Sequence, residues 1–528
     1  MKAMGIFPTT IQNLKQKVTD LKILLDNEKS KRTKDCEEFA YKCGLCIEKS
    51  KHDESVILML QRTIADYSNI IEENERTICA QKKRIEDLED RNAVLNGRLK
   101  KDSTNSSKPP SSDGFKKQTF STRKKSEKKP GGQEGHAGRT LSVGTTEAKI
   151  VDRKEGACPC GGEIAFGEEY QSRSVIDIVV TLSTTEERSY SGTCKLCCKP
   201  FRAAFSSEFR APIQYGNNIN TLTALLNEYG NVADKKTADI VSSICGNNIN
   251  MSAGTVVNIR TRLSEKLNDT VEYIKQMLTD SNILGADETG VRVNGKLNWV
   301  HIFCNDMYTL FEHNSKRSAH CNDVDGILAL FTGILVHDHL KSYYKNKIAT
   351  HSECNQHILR YLESVIQIQT HEWAKEMTDF LISSKKRKEE LIASGKYSFP
   401  EEELAELEER YISILNKGDK EYQAAIEGKK NIKRFDDERR LLARLREYKD
   451  EHLRFLSNFL APFGNHAAEQ GAHFIKGKIK VSGGFRSAQG AGHHMKIASV
   501  IASAKKQRIN PYSAIKNAFD GLSVFDNS

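Results

Sequence analysis

Two short apolar runs, each closed by an aspartate, constrain the fold of this chain more than any other feature. Asn282-Ile-Leu-Gly-Ala-Asp287 is the first and Gly333-Ile-Leu-Val-His-Asp338 the second. Each reads as a buried strand by its length and its flanking glycines. Leu284–Asp287 is expected as the end of a first strand. Val291–Val293 and Asn298-Trp-Val-His-Ile-Phe303 flank Asn294-Gly295, a strong signal for a two-residue hairpin, and together predict a second. Met307–His313 reads as a third strand and Val324–Phe331 as a helix. A strand entered through that helix should lie parallel to the first and beside it, because such crossovers are almost always right-handed and local. Asp287 and Asp338 then sit side by side at the sheet.

This order of strands and crossover is that of a ribonuclease-H-like α/β core. A third acid, Glu469, stands in Asn465-His-Ala-Ala-Glu469, after a Pro-Phe-Gly-Asn break and before a helix-like stretch. The interval from 338 to 469 begins with Gln356-His-Ile-Leu-Arg-Tyr-Leu-Glu363. It continues with a long Lys/Glu-rich stretch broken only by Pro400, which predicts a helical insertion ahead of Glu469. Two carboxylates on neighbouring strands and one on a helix form a hard-oxygen cage. Such a cage suits two Mg²⁺ ions, with Mn²⁺ as a substitute, clamping the attacking and leaving oxygens of a phosphodiester.

The charge distribution agrees with a nucleic-acid partner. Lys+Arg 80 against Asp+Glu 70 gives a net charge of +10 over 528 residues, a weak signal by itself. Its placement is more informative: between 465 and 519 Glu469 is the sole acid among many lysines and arginines. Lys476, Lys478, Lys480 and Arg486 are candidate phosphate contacts. The bland reading of that segment is a solvated helical face with one stray acid. No apolar run is long enough to span a membrane, and the N-terminus lacks a signal-peptide core. Thirteen cysteines without a secretory signal predict a reducing, cytoplasmic setting, nucleoid-associated if DNA is the partner.

Seven segments follow. Residues 1–100 carry a heptad with Ile57, Ile64, Ile71, Ile78, Ile85 and Leu99 at a, and Leu60, Tyr67, Leu88 and Leu95 at d. A weaker zipper of Leu14, Val18, Leu21 and Leu25 precedes it. Together they predict a dimerising coiled coil, against a helical hairpin packed on itself. Residues 101–150 form a basic linker through Asn105–Gly114, Lys116–Lys129 and Gly131–Gly138. Residues 151–210 hold Cys158-Pro-Cys160, the strand-like run Val175–Val180 and Cys194-Lys-Leu-Cys197-Cys198. Four thiolates on two knuckles describe a zinc ribbon with a structural Zn²⁺, Cys198 being an alternative to Cys197, while reduced thiols without metal are the plainer reading. In 211–280, Ser252 is a candidate N-cap, and the helix it opens carries Arg260 and Arg262. That helix is a candidate for the second helix of a DNA-binding helix-turn-helix. Residues 281–370 begin the catalytic core, 371–460 form the helical insertion, and 461–528 complete the core with the Glu469 helix and a basic tail.

At this level the chain resembles insertion-sequence transposases of the IS-sixty-six group. The segments that carry the likeness are Asn105-Ser-Ser-Lys-Pro-Pro-Ser-Ser-Asp-Gly, Gly132-Gln-Glu-Gly-His, Ala286-Asp-Glu-Thr-Gly, His337-Asp-His-Leu-Lys-Ser-Tyr343, Cys354-Asn-Gln-His357-Ile-Leu-Arg, Asn465-His-Ala-Ala-Glu469 and Lys480-Val-Ser-Gly-Gly-Phe-Arg-Ser487. The resemblance implies a DDE transposase in which Asp287, Asp338 and Glu469 bind the metal ions. It implies double-stranded DNA as partner, both terminal inverted repeats and target, and a homodimer or higher oligomer; accessory proteins of the same element are possible further partners. Cys354 and His357 match a Cys-x-x-His signature of such cores. His351 lies three residues before Cys354, and an orienting or packing role is the simpler reading of this group. The sequence departs from the family where Gln470 and His473 replace the usual arginines. That departure keeps open a second reading, a decayed or domesticated copy that binds DNA as a regulator.

Overall fold

The computed structural model describes residues 54–101, 149–156, 158–318, 326–429 and 432–525, with scattered positions between 16 and 42. It divides into two compact units, 1–93 and 94–528. Helix α1 (Glu54–Lys100) is unbroken through the predicted heptad. Ile64, Tyr67 and Leu88 are exposed along it. The Leu14–Leu25 zipper and the linker segments Asn105–Gly114, Lys116–Lys129 and Gly131–Gly138 lie outside the described residues.

Within the larger unit the first regular structure is a small hairpin, β1 (Ser191–Thr193) with β2 (Pro200–Arg202), paired antiparallel. The expected strand at Val175–Val180 does not form. That segment is extended but unpaired, and Val175, Ile178 and Val179 are exposed. A strand needs a ladder partner, and among the described residues none lies alongside.

Helices α2 (Asn217–Ala224), α3 (Asp234–Ile244), α4 (Ala253–Lys266) and α5 (Asn268–Thr279) follow. Ser252 caps α4 as its residue type predicts, its hydroxyl accepting the Thr255 amide at 3.1 Å. Val256, Ile259 and Leu263 line the inner face of α4, at the three- and four-residue spacing of a core stripe.

The sheet comprises β3 (Ile283–Val293), β4 (Lys296–Cys304), β5 (Thr309–Asn314), β6 (Ile334–His337) and β7 (Thr350–Glu353), in the order β5-β4-β3-β6-β7. β3, β4 and β5 are antiparallel neighbours, whereas β6 and β7 run parallel to β3. Asn294 and Gly295 both adopt positive φ, 48° and 73°, which matches the twist of a two-residue hairpin. Three expectations are corrected. β3 is one strand, because its pairing with β4 continues from Gly285 to Val293, so Asp287 lies within the strand and not at its end. The helix expected over Val324–Phe331 contracts to one turn, α6 (Ile327–Leu330), between extended Gly326 and Phe331; residues 319–325 lie outside the described residues. β7 has no counterpart among the expected strands, because Thr-His-Ser-Glu has no apolar alternation.

Helices α7 (Asn355–Ile368), α8 (Glu372–Ala393), α9 (Glu401–Ile426), α10 (Asp436–Glu447) and α11 (Lys449–Ser457) contain the predicted insertion. Their core of Trp373, Met377, Phe380, Tyr411, Leu415 and Leu442 forms a cluster separate from those on the sheet. Each such side chain contributes about 1.5–3 kcal/mol by leaving water, which gives the insertion a stability of its own. The chain then returns through α12 (His466–Ser482), α13 (Ala488–Lys506) and α14 (Pro511–Asp520). Gly483, at φ 72°, ends α12 in a left-handed cap. Beyond it Phe485 bonds back to Arg292 and Asn294 of the β3–β4 hairpin.

Candidate active site

Strand alternation decides which side chains share a face. Leu284 and Ala286 of β3 enter the core with Leu335 of β6 and the helices α4 and α5. Val291 and Val293 face the other way, against Ala468, Ala472 and Ile475 of α12. Asp287 has their parity, so it lies on the face that α12 covers. The parallel register pairs Gly285 with Val336. Asp287 lies two residues further along β3 and Asp338 directly follows the end of β6, and the two are close enough for the Asp338 charge to act on Asp287.

Glu469 reaches this face because α12 is held by its N-terminus. The Asn465 side-chain amide donates to the Ala286 carbonyl at 2.7 Å, one residue before Asp287. Gly285 makes room for it, since a Cβ there would lie 2.7 Å from Asn465 Oδ1. Gly471 permits an equally close approach, as its Cβ would lie 2.8 Å from Ile302 of β4. Glu469 sits in the first turn of α12, where the helix dipole favours an anion.

The electrostatics follow from this crowding. Burial pushes the Asp287 carboxyl up to about 7, helped by the Glu288, Asp338 and Glu469 carboxylates, while the Glu288 amide that it accepts at 2.8 Å works the other way. Burial and Asp338 also raise the Glu288 carboxyl, against the opposing pull of Arg317 and Tyr343. Arg317 Nε donates to Glu288 Oε1 at 2.9 Å and Tyr343 Oη donates to Oε2 at 2.8 Å. Glu288 is thereby paired with Arg317 and, through Tyr343, braces the loop after Asp338.

A buried hub lies behind the site. Glu353, fully buried at the end of β7, accepts Tyr344 Oη at 2.5 Å and Arg444 Nε at 2.9 Å, and pairs with His339 and with His452 at 3.3 Å. Burial alone would raise this carboxyl; the His339 hydrogen bond and the charges of His452 and Arg444 hold it well below the ordinary carboxylate range. Since His339 and Tyr344 follow Asp338, and Arg444 and His452 belong to α10 and α11, Glu353 ties the insertion to the Asp338 loop. Neither Glu288 nor Glu353 stands out in the sequence. Their adjacency to Asp287 and Cys354 is the only signal it offers.

Cys354 and His357 stand on the first turn of α7, and their ligand atoms lie within 4.8 Å of one another and of a Glu469 oxygen. Glu469 Oε1 is 3.7 Å from His357 Nδ1 and 3.5 Å from Arg360 Nη2. Burial and the Arg360 and Arg444 charges hold His357 down at about 4, and burial pushes the Cys354 thiol up to about 11. His351 is not part of the group, because one ring nitrogen meets His337 at 2.9 Å and the other the Asn346 carbonyl at 2.8 Å.

Residues 239–493 match the family model described as Transposase IS66 family. The match covers just under half of the chain and supports an IS66-group transposase. Residues 61–142 match a second model, a family of unknown function, DUF6444. Comparison with curated proteins gives no match. Among solved structures, a chain of the Mos1 strand transfer complex is similar at 15% identity over 26% of this chain, with a TM-score of 0.10. The match spans about half of that chain, 54%, and at that score it carries no argument.

The remaining predicted residues divide into two groups. Lys480, Arg486 and Arg262 are exposed and Lys476 is partly so. Lys478 is corrected: it is buried and its ammonium donates to the Asn227 carbonyl at 2.9 Å, so it braces α12 and does not meet a phosphate. Arg260 is corrected likewise, turning inward to Glu228 at 3.5 Å and Asp234 at 3.7 Å. Gln470 and His473 are exposed on α12, and Gln470 bonds to His466 at 2.8 Å.

At the knuckles, Cys158 and Cys160 sulfurs lie 3.0 Å apart. Backbone amides of Cys197 and Leu196 and the nearby Cys197 side chain lower the Cys194 thiol. The Cys194 amide donates to Lys199 and that of Cys198 to Cys194, both at 2.9 Å, closing the turn within the β1–β2 hairpin. Each cysteine pair is therefore formed, but among the described residues the two pairs do not gather into one ligand cluster. No helix among the described residues is long and apolar enough to cross a membrane.

Proposed function

We propose that this protein is a DDE transposase that cuts and joins DNA at the ends of its insertion sequence, on a ribonuclease-H-like core. The observation that supports the reading is the crowding of acids at the β3–β6 junction, where the Asp338 and Glu469 charges both act on Asp287, together with the Asn465 bond that ties the start of α12 to β3. The donor set fits divalent Mg²⁺ or Mn²⁺. Three carboxylates supply hard oxygens, and Asp287 is raised first by burial and then by its neighbouring carboxylates, both of which a dication offsets.

Asp287, Asp338 and Glu469 would hold two such ions, which when bound activate the attacking hydroxyl and stabilise the leaving oxygen. The chain's own work is positioning. Asn465 and Gly471 set the depth of α12, Glu288 and Glu353 brace the loop that follows Asp338, and Lys476, Lys480 and Arg486 offer charge to the DNA backbone. Double-stranded DNA, both terminal repeat and target, is the substrate in this reading. The α1 heptad would pair two protomers, and a structural Zn²⁺ would draw the Cys158/Cys160 and Cys194/Cys197 pairs together.

The test is cleavage of terminal inverted-repeat DNA with Mg²⁺. Asp287→Ala should lose strand cleavage and transfer while keeping DNA binding. Mg²⁺-dependent cleavage by that variant at the wild-type rate overturns the assignment.

A further inference from the structure

We propose that Cys354, His357 and Glu469 form a second, thiophilic cation site, suited to Zn²⁺, that withdraws Glu469 from the aspartate pair. The three ligand atoms lie within 4.8 Å of one another. A Cys-x-x-His spacing at the start of α7 puts the thiol and the imidazole on one side of the first turn, and the His357 amide bonds to the Cys354 carbonyl at 3.1 Å. His357 Nδ1 is sealed from solvent and has no hydrogen-bond partner. Glu469 Oε1 is 3.7 Å away. That is too long for a hydrogen bond but near the separation of about 3.3 Å expected for nitrogen and oxygen ligands of one tetrahedral ion.

The surroundings also suit a metal thiolate. The Asn465 amide donates to Cys354 Sγ at 3.2 Å, the kind of outer hydrogen bond that orients a ligand sulfur. One thiolate, one imidazole and one carboxylate form a three-ligand zinc set with an open fourth position, whereas Mg²⁺ takes oxygen ligands and has little affinity for sulfur. Arg360, 3.5 Å from the same Glu469 oxygen, is the charge that an entering cation displaces. Binding releases the thiol proton to solvent and leaves the ion with the thiolate. Glu469 is the shared element: an oxygen committed to Cys354 and His357 is lost to Asp287 and Asp338.

Co²⁺ titrated into the full chain reads the site directly, through its thiolate charge-transfer absorption and the number of ions bound. Wild type should bind one more equivalent than Cys354→Ser or His357→Ala, and the lost band should have the intensity of a single thiolate. Equal stoichiometry and equal spectra in all three proteins overturn the proposal. His357→Ala keeps the test decisive if the buried Cys354→Ser variant does not fold, with circular dichroism as the check. A second arm rests on the proposed function: Zn²⁺ should inhibit Mg²⁺-dependent cleavage, with at least a tenfold higher concentration needed in His357→Ala. Equal inhibition of both proteins overturns the withdrawal of Glu469, and the Co²⁺ arm decides the site even if the wild-type chain cuts no DNA.

Discussion

The helical insertion and the sheet bury acids in opposite ways. In the insertion, Glu438 Oε1 meets Trp373 Nε1 and His371 Nδ1, each at 2.7 Å. At its border Glu353 is ringed by His339, Tyr344, Arg444 and His452. In the sheet, the side chains that act most on Asp287 are three other carboxylates. A buried acid surrounded by donors is a structural element, whereas one surrounded by acids costs stability and waits for a cation. That contrast separates scaffold from site more sharply than residue type or burial does.

The strongest way to break the comparison is Glu353→Gln. It leaves the Arg444 guanidinium, 11% exposed, without its carboxylate, and removing one partner of a buried pair costs about 3–5 kcal/mol. Urea unfolding of the full chain should show that loss, and a variant as stable as wild type would mean the hub is not structural.

Asp287→Asn should do the reverse. Asp287 rises from 3.8 to about 7 in the folded, metal-free protein, so the folded state holds its proton more tightly than the unfolded chain. Its carboxyl therefore costs stability progressively as pH rises from 3.8, and fully above about 7. A shift of that size corresponds to at most about 4 kcal/mol. Thermal unfolding with chelator should find the Asn variant more stable at about pH 8, with the advantage gone near about pH 4. A destabilised Asn variant at the higher pH would place Asp287 with the paired acids.

Glu228 sharpens the contrast from the paired side. It meets His494 at 2.5 Å and Arg260 at 3.5 Å. Burial opposes its ionisation, but His494, Lys478 and Arg260 bring it down to about 2 from 4.5. Because the folded value is the lower one, its stabilisation is complete above 4.5 and is lost as pH falls toward about 2. The lost stabilisation amounts to at most about 3 kcal/mol. Acid titration of stability should show that slope in wild type, reduced in Glu228→Gln.

The smallest effect is expected from Gly471→Ala. A methyl 2.8 Å from Ile302 must lift α12; overpacking of about 1–3 kcal/mol is partly offset by about 1 kcal/mol of helix propensity. The fold should survive while cleavage slows, since Glu469 moves with the helix. Unchanged cleavage rates would show that the depth of α12 is not critical.

Much of the candidate site is legible in the sequence. Asp287, Asp338 and Glu469 stand out by their settings, Asn294-Gly295 marks the hairpin, and the crossover argument places β6 parallel to β3, because each depends on local pattern or on the handedness of the chain. Lys478 and Arg260 read as DNA contacts in the sequence and are not, because a basic residue next to an exposed one looks the same there whether it meets phosphate or Asn227 and Glu228. β7 escapes a reading by pattern because its polar residues are buried by what packs on them and not by their own alternation.

The sequence by itself determined the Asn294-Gly295 hairpin, the strand ahead of Asp338, the Ser252 cap and the inventory of acids and thiols, since these follow from steric and hydrophobic preferences over a few neighbouring residues. Only the tertiary structure decided which acids are paired and which are crowded. Asp287 and Glu353 are both buried acids near the sheet, and the difference between them lies in partners from distant segments. Glu469 reaches Asp287 through Asn465, and Arg444 reaches Glu353 through the insertion, so packing across the whole chain sets the charge of each.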